Sequence, residues 1–134
     1  ERVIFAVKNK NGRQLQSRSS TGCTQNPALQ YFECPLNDEG LFHTLLKKSS
    51  SIWVNKDNLD NALKQLPKEF RDHCQVEEFF MMSILRGSNT LGICYVDQGP
   101  NGEKLRKEHY NAYKYLCNSV TKCLTAQTGH ISIK

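Results

Sequence analysis

This chain lacks any apolar run near the ~20 residues that a membrane-spanning helix needs, and it contains no C-x-x-C pair. The first absence excludes a transmembrane helix, and the second removes support for a zinc ribbon or a thioredoxin-type redox motif. A Gly-rich phosphate loop, a nucleophile elbow and a paired-carboxylate motif are also missing. We therefore expect a domain that is not an enzyme and holds no cofactor.

Basic residues outnumber acidic ones, but they are not gathered into one surface. The 134 residues include 18 Lys and Arg against 13 Asp and Glu, for a net charge of +5. The basic residues are scattered, whereas single-strand nucleic-acid binders need a basic stripe interleaved with aromatic side chains. We expect neither nucleic acid nor a membrane as a partner.

The six cysteines are too few for a disulfide scaffold, in which cysteine exceeds ~8–10% of residues. Cys34 and Cys94 follow apolar strand patterns, so reduced and mostly buried thiols are expected, together with a cytoplasmic location. Cys23 lies in a polar segment and is expected to be the most exposed thiol, either redox-reactive or simply a loop residue. His73-Cys74, with His43, could bind a metal ion, but adjacent residues rarely reach one ion, and no metal site is expected.

The opening and central parts of the chain both predict hairpins. Asn11-Gly12 separates an apolar run at 3–7 from a polar run at 13–18, and Asn-Gly is a strong hairpin signal because both residues tolerate positive φ. Residues 78–85 and 91–97 are apolar strands joined by Gly87-Ser88-Asn89. A third strand is expected at 29–34.

The central strands are apolar on both faces, so both faces of the sheet must be covered. A final helix at 105–126 can cover one face with a stripe that includes Tyr110, Tyr113 and Cys117. The segment 37–74, with short leucine-rich helices and the apolar patch Ile52–Val54, must cover the other. This arrangement is α+β.

Particular residues in this order resemble the GAF domain, a small-molecule sensing fold. Leu91–Asp97 is similar to the family's glycine-bearing strand ending in Asp, and the final helix with Tyr110, Tyr113 and Leu116 also fits. The middle of the chain resembles the GAF-like region that follows HDOD domains in bacterial signalling proteins. The resemblance implies a central antiparallel sheet with a long terminal helix on one face and short helices and loops on the other.

The same resemblance implies the domain's organisation and role. Residues 1–134 are expected to form one GAF-like domain from a longer chain, with a loosely ordered tail at 127–134. Its expected role is to bind an unidentified small molecule and relay its presence to neighbouring domains. The alternative is a scaffold that binds no ligand and serves dimerisation or interdomain packing. Both alternatives remain open at the level of sequence.

Two candidate surfaces follow from this interpretation. A ligand pocket is expected on the sheet face away from the last helix, bordered by Phe42, His43 and Trp53. The helix with which GAF domains normally begin has no counterpart before Val3, so the last helix is expected to expose an apolar strip. We predict a homodimer along that strip, which consists of Tyr110, Tyr113, Leu116, Val120 and Leu124.

Overall fold

The computed structural model describes residues 2–9, 11–23, 27–36, 40–74, 76–99 and 104–131, without the side chains of 28, 29, 69, 73, 74 and 124–131. Its six strands are β1 (Arg2–Lys8), β2 (Gln14–Thr21), β3 (Glu33–Pro35), β4 (Ser51–Val54), β5 (Phe79–Arg86) and β6 (Asn89–Asp97). They form one sheet in the order β3-β2-β1-β6-β5-β4, and every neighbouring pair is antiparallel. The predicted α+β class and antiparallel sheet are confirmed.

Among the described residues, five helices accompany the sheet: α1 (Pro27–Gln30), α2 (Leu41–Lys47), α3 (Leu59–Lys64), α4 (Lys68–Cys74) and α5 (Lys107–Ile131). The long helix α5 packs along β5 on one face, which we call the helix face. The short helices α2, α3 and α4 cover the opposite face, which we call the distal face. No helix in the described part of the chain is both long enough and apolar enough to cross a membrane.

Strand alternation divides the core into two clusters, because successive side chains point to opposite faces of a sheet. On β5, Phe79 and Met81 belong to the distal-face cluster, while Phe80 and Met82 belong to the helix-face cluster. The central strands are buried almost throughout, as their two-sided apolar pattern predicted.

Both predicted hairpin turns are present. Gly12 has φ 71°, and Gly87, with φ 65°, lies between the paired residues Arg86 and Asn89. Such positive φ values cost glycine little because it has no Cβ. The first turn is closed further by the Asn9 side chain, whose Oδ1 accepts a hydrogen bond of 3.0 Å from the Arg13 N–H.

Two elements differ from the sequence prediction. The strand expected at 29–34 is reduced to β3, because the helical turn α1 occupies its first half. Pro27 suits the first position of a helix, and the Tyr31 N–H closes the turn on the Pro27 carbonyl at 2.9 Å. At the other end, α5 continues past Ala126, where the final helix was expected to end, as far as Ile131.

Candidate functional site

The distal face is filled by five aromatic rings centred on Phe70, which α4 directs toward the sheet. The Phe70 ring makes edge-to-face contacts with Phe32, Phe42 and Tyr95, at centroid distances of 5.2, 5.4 and 5.1 Å. Phe79 lies 5.4 Å from Tyr95. We call these five residues the aromatic cluster. Each such ring pair contributes about 0.5–1.5 kcal/mol beyond the area it buries, so the cluster fastens the short helices to the sheet.

A buried ion pair lies beside this cluster, where β6 ends opposite the start of β1. The Asp97 carboxylate accepts hydrogen bonds from Arg2 Nε at 2.8 Å and from a terminal Arg2 nitrogen at 2.7 Å. It also accepts one from the Gly99 N–H at 2.7 Å and one from the Tyr95 hydroxyl. Both members of the pair are buried. The carboxylate is thus bound on both oxygens, as a buried charge requires.

Cys23 lies near this ion pair and is buried, so the prediction that it is the most exposed thiol is wrong. Its thiol donates a weak hydrogen bond to the Thr21 carbonyl at 3.7 Å. Burial raises the pKa of the Cys23 thiol, and the positive charge of Arg2 offsets only part of that rise. A thiol with a raised pKa keeps its proton at neutral pH and is a poor nucleophile. Among the cysteines whose side chains are described, Cys123 is the exposed one.

The structure does not bring the three predicted pocket residues together. Phe42 lies on the distal face in the aromatic cluster, and His43 is half-buried on α2. Trp53 lies on the helix face, where its ring stacks on Tyr110 at 5.5 Å. The physical reason is strand alternation, because Ile52 and Val54 of β4 face the distal cluster and Trp53 between them must point the other way. Phe42 and Trp53 therefore cannot border one pocket.

The helix face contains further ordered contacts around Tyr110 of α5. The hydroxyl groups of Tyr110 and Ser51 are 2.8 Å apart, and Lys114 Nζ lies 5.3 Å from the Tyr110 ring centroid. Trp53 Nε1 is buried and has no hydrogen-bond partner among the described residues. The stack thus joins the edge strand β4 to the first turns of α5.

The apolar strip predicted for dimerisation is divided between two sides of α5. Tyr113 is buried against the sheet of its own chain, and Tyr110 and Val120 are half-buried against it. Leu116 is 45% exposed, and its neighbour Tyr115 is 76% exposed. The Leu124 side chain lies outside the described residues. The stripe at i, i+3 and i+7 therefore packs in this domain, and Leu116 and Tyr115 lie on the other side of the helix.

The predicted metal-ligand candidates are only partly testable by the structure. The side chains of His73 and Cys74 lie outside the described residues. Within the described part of the chain, no three His, Cys, Asp or Glu side chains converge closely enough to hold a metal ion.

Comparison with known proteins identifies the fold. No protein-family model and no curated protein matches the sequence. Among solved structures, a fragment of a methyl-accepting chemotaxis protein matches with a TM-score of 0.68 and 15% identity, covering 94% of this chain and 78% of its own. The phycoerythrobilin-bound GAF domain of a cyanobacterial phytochrome matches with a TM-score of 0.67 and 11% identity, over 97% and 78%.

A third similar structure is the GAF domain of a two-component sensor histidine kinase from Bacillus halodurans. Its TM-score is 0.66 at 8% identity, and the match covers 100% of this chain and 86% of that one. The described part of this chain, with its six-stranded antiparallel sheet, a long helix on one face and short helices on the other, thus matches solved GAF domains over nearly its whole length. The chain therefore has the fold of a GAF domain.

Proposed function

We propose that this domain is a regulatory module of a signalling protein and that it binds a small molecule on its distal face. The observation that carries the proposal is the unequal cover of the two sheet faces. One long helix closes the helix face, whereas the short helices α2, α3 and α4, of six or seven residues each, close the distal face. Short segments open locally at lower free energy than the central sheet does, so the distal face is where a ligand can enter.

Similar structures support the regulatory part of this proposal. They include domains of sensor histidine kinases and two GAF domains of cyanobacterial phytochromes, one bound to phycoerythrobilin and the other to phycocyanobilin. An HDOD domain as the neighbour in the chain is a further part of the proposal, and it rests on the sequence resemblance alone.

The chemistry of the distal face selects the class of ligand. Phe70 is buried and contacts three other rings, so a ligand that enters the aromatic cluster has to displace its ring and occupy the place of a flat, apolar group. Phe32, Phe42 and Tyr95 would then surround the ligand, since each lies within 5.4 Å of the Phe70 ring centroid. We therefore propose a flat, largely apolar ligand, such as an aromatic heterocycle, with the Tyr95 hydroxyl as a nearby polar group.

Substituting Phe70 tests this proposal, because the ligand has to displace its ring. Phe70→Leu should bind flat aromatic compounds such as indole or adenine about tenfold more tightly than the unmodified protein. The ligand then no longer has to displace the Phe70 ring, so less free energy is spent on reaching the binding-competent state. Binding is measured by thermal shift and by native mass spectrometry, which also detects any molecule retained through purification.

Phe80→Leu is the matched control, because Phe80 is an equally buried ring on the helix face. A compound that binds both variants equally, without binding the unmodified protein, fills an engineered cavity and contradicts the proposal.

A ligand-free scaffold is the second candidate function, and the complete packing of the aromatic cluster favours it. In this case the rings act only as core, and the domain contributes an association surface. No compound would then stabilise the unmodified protein, and Phe70→Leu would lower stability without gaining a ligand.

A homodimer through α5 is part of either function, and we propose that a second copy of this chain covers the outer side of the helix. Tyr115 and Leu116 are exposed there, and Cys123 follows Leu116 by one heptad, so Leu116 and Cys123 share a side of the helix. In a parallel pair of α5 helices, the two Cys123 residues would lie at the same level.

Cys123 therefore serves as a built-in reporter of this dimer. Mild oxidation should give a disulfide-linked dimer that disappears in Cys123→Ser, and Leu116→Glu should shift the protein to monomer in light scattering at micromolar concentration. Tyr31→Glu, a change at a 73% exposed tyrosine on another part of the surface, is the control and should leave association unchanged. A monomer at all concentrations would contradict the proposed pairing.

A further inference from the structure

Two thiols meet across the contact between the sheet and α5. Cys94 on β6 and Cys117 on α5 are both 0% exposed, and both belong to the helix-face cluster, where each thiol affects the pKa of the other. Cys94 faces α5 because it alternates with Tyr95, whose ring lies on the distal face.

Contacts on either side of Cys117 hold this pairing in place. One turn before it, Tyr113 stacks on Phe80 at 4.9 Å. One turn after it, Thr121 Oγ1 accepts a hydrogen bond from the Leu85 N–H at 3.4 Å. Cys117 therefore lies over the middle of β5, at the level of Met82, and Met82 is the direct cross-strand partner of Cys94. These contacts fix the position of Cys117 along the sheet and therefore its position relative to Cys94.

We propose that Cys94 and Cys117 form an oxidisable dithiol, which a small hydroperoxide converts to an intramolecular disulfide that joins α5 to the sheet. The reduced pair is the resting state. The role is distinct from ligand binding, because the two sulfurs lie on the helix face and the aromatic cluster lies on the distal face.

The two cysteines have different chemical roles in this reaction. The neighbouring Cys117 thiol raises the pKa of the Cys94 thiol, and burial raises it further. The neighbouring Cys94 thiol lowers the pKa of the Cys117 thiol against the effect of burial. When α5 opens, it carries Cys117 into solvent, whereas Cys94 stays in the central strand β6. Because the exposed thiolate is the nucleophile, Cys117 reacts first and Cys94 resolves the intermediate.

The oxidation proceeds in two balanced steps. In the first, the Cys117 thiolate attacks an oxygen of the hydroperoxide, the O–O bond breaks, and Cys117 sulfenic acid forms while the leaving oxygen takes up a proton as water or alcohol. In the second, the Cys94 sulfur attacks the sulfenic sulfur, the S–S bond forms, and the S–O bond breaks with release of water. The two thiols together lose two electrons, and the hydroperoxide gains them.

The buried position of the pair determines when this chemistry occurs. A hydroperoxide can reach the sulfurs only when α5 moves away from the sheet, so the oxidation rate measures local opening of that helix. Once formed, the disulfide prevents the opening, because it connects β6 covalently to the middle of α5. Oxidation therefore fixes the helix in its sheet-bound position.

The test uses the whole chain with Cys123→Ser, which removes the exposed thiol and with it cross-linking between copies. The reduced protein is treated with hydrogen peroxide, its remaining thiols are alkylated, and its peptides are mapped by mass spectrometry. We expect a cross-linked peptide joining Cys94 to Cys117, lighter by two hydrogen atoms and restored by dithiothreitol. The unfolding midpoint should rise by about 10 °C, since the bond constrains the unfolded chain.

Control variants separate this pair from general oxidation. Cys117→Ser should abolish the cross-link, whereas Cys34→Ala, which changes an equally buried cysteine on the distal face, should preserve it. Sulfinic acid at Cys117 with Cys94 still reduced would overturn the proposal, and so would a disulfide that joins other cysteines. The proposal would also be overturned if hydrogen peroxide oxidised neither thiol at a urea concentration that opens α5. These three outcomes do not depend on the stability of a core variant, because the mapping is made on a chain changed only at the exposed Cys123.

Discussion

Replacing Asp97 with alanine should lower the free energy of unfolding by about 3–5 kcal/mol, because the change breaks a buried ion pair by removing one of its two members. The carboxylate binds Arg2 through two hydrogen bonds of 2.8 and 2.7 Å, and both side chains are at most 7% exposed. It also receives the Gly99 N–H and the Tyr95 hydroxyl, which would both lose their acceptor. Urea unfolding followed by circular dichroism measures the loss.

Two controls show whether the loss comes from the unpaired charge. The double change Arg2→Met with Asp97→Leu should recover a large part of the lost stability, since it removes both buried charges. Glu77→Ala breaks the ion pair between Lys56 and Glu77, whose atoms are 3.7 Å apart and whose side chains are 75% and 67% exposed. That change should cost less than about 1 kcal/mol. A loss at Asp97→Ala as small as the loss at Glu77→Ala would contradict the prediction.

Replacing Gly92 with alanine should lower the free energy of unfolding by about 3 kcal/mol or more, because the added methyl group overpacks a site that is already filled. A Cβ at this position would lie 1.9 Å from the Ala6 carbonyl oxygen and 2.9 Å from the Val7 Cα. Both atoms belong to the backbone of β1, so they cannot move aside without disturbing the pairing of β1 with β6.

Gly12→Ala is the matched control, because it places a methyl group in open space. Gly12 has φ +71°, and no atom lies within 4 Å of the point that a Cβ would occupy there. Only the cost of the left-handed conformation, about 1 kcal/mol, is therefore expected. Comparing the two variants by urea unfolding separates steric overlap from backbone strain. Equal losses would show that β1 and β6 can move apart at Gly92.

Much of the fold was predictable because its signals are local. The Asn11-Gly12 turn and the turn at Gly87-Ser88 each lie between strands that pair directly, so each hairpin could be predicted from a few neighbouring residues. The apolar pattern of β5 and β6 showed that both faces of the sheet are covered, and the helical stripe through Tyr113 and Cys117 identified the side of α5 that is buried.

The candidate site was less predictable because it depends on contacts between distant parts of the chain. Arg2 and Asp97 meet only because β1 and β6 are neighbours in the sheet, and nothing near either residue indicates this. Phe70 belongs to a short helix whose orientation is set by three separate aromatic partners. The position of Trp53 could have been predicted from its neighbours in the sequence, because strand alternation places Trp53 on the opposite face of the sheet from Ile52 and Val54.

Cys23 and Cys117 illustrate the same limit for the thiols. Cys23 has polar sequence neighbours but packs beside Arg2 and Asp97, so its burial follows from the ends of two other strands. Cys117 was correctly expected to be buried, but its contact with Cys94 depends on the position of α5 along the sheet. Contacts between residues that are close in the sequence could be predicted from the sequence alone, whereas contacts between distant residues could not.

The separate roles proposed for the two sheet faces can be tested most directly with the two methionines of the chain. Met81 belongs to the distal-face cluster and Met82 to the helix-face cluster. With ¹³C-methyl methionine, the protein should give two methyl signals, assigned through Met81→Leu and Met82→Leu. A flat aromatic ligand found in the thermal-shift screen should shift the Met81 signal strongly and the Met82 signal weakly. A strong shift of Met82 alone, or no shift of either signal under every compound, would contradict ligand binding on the distal face.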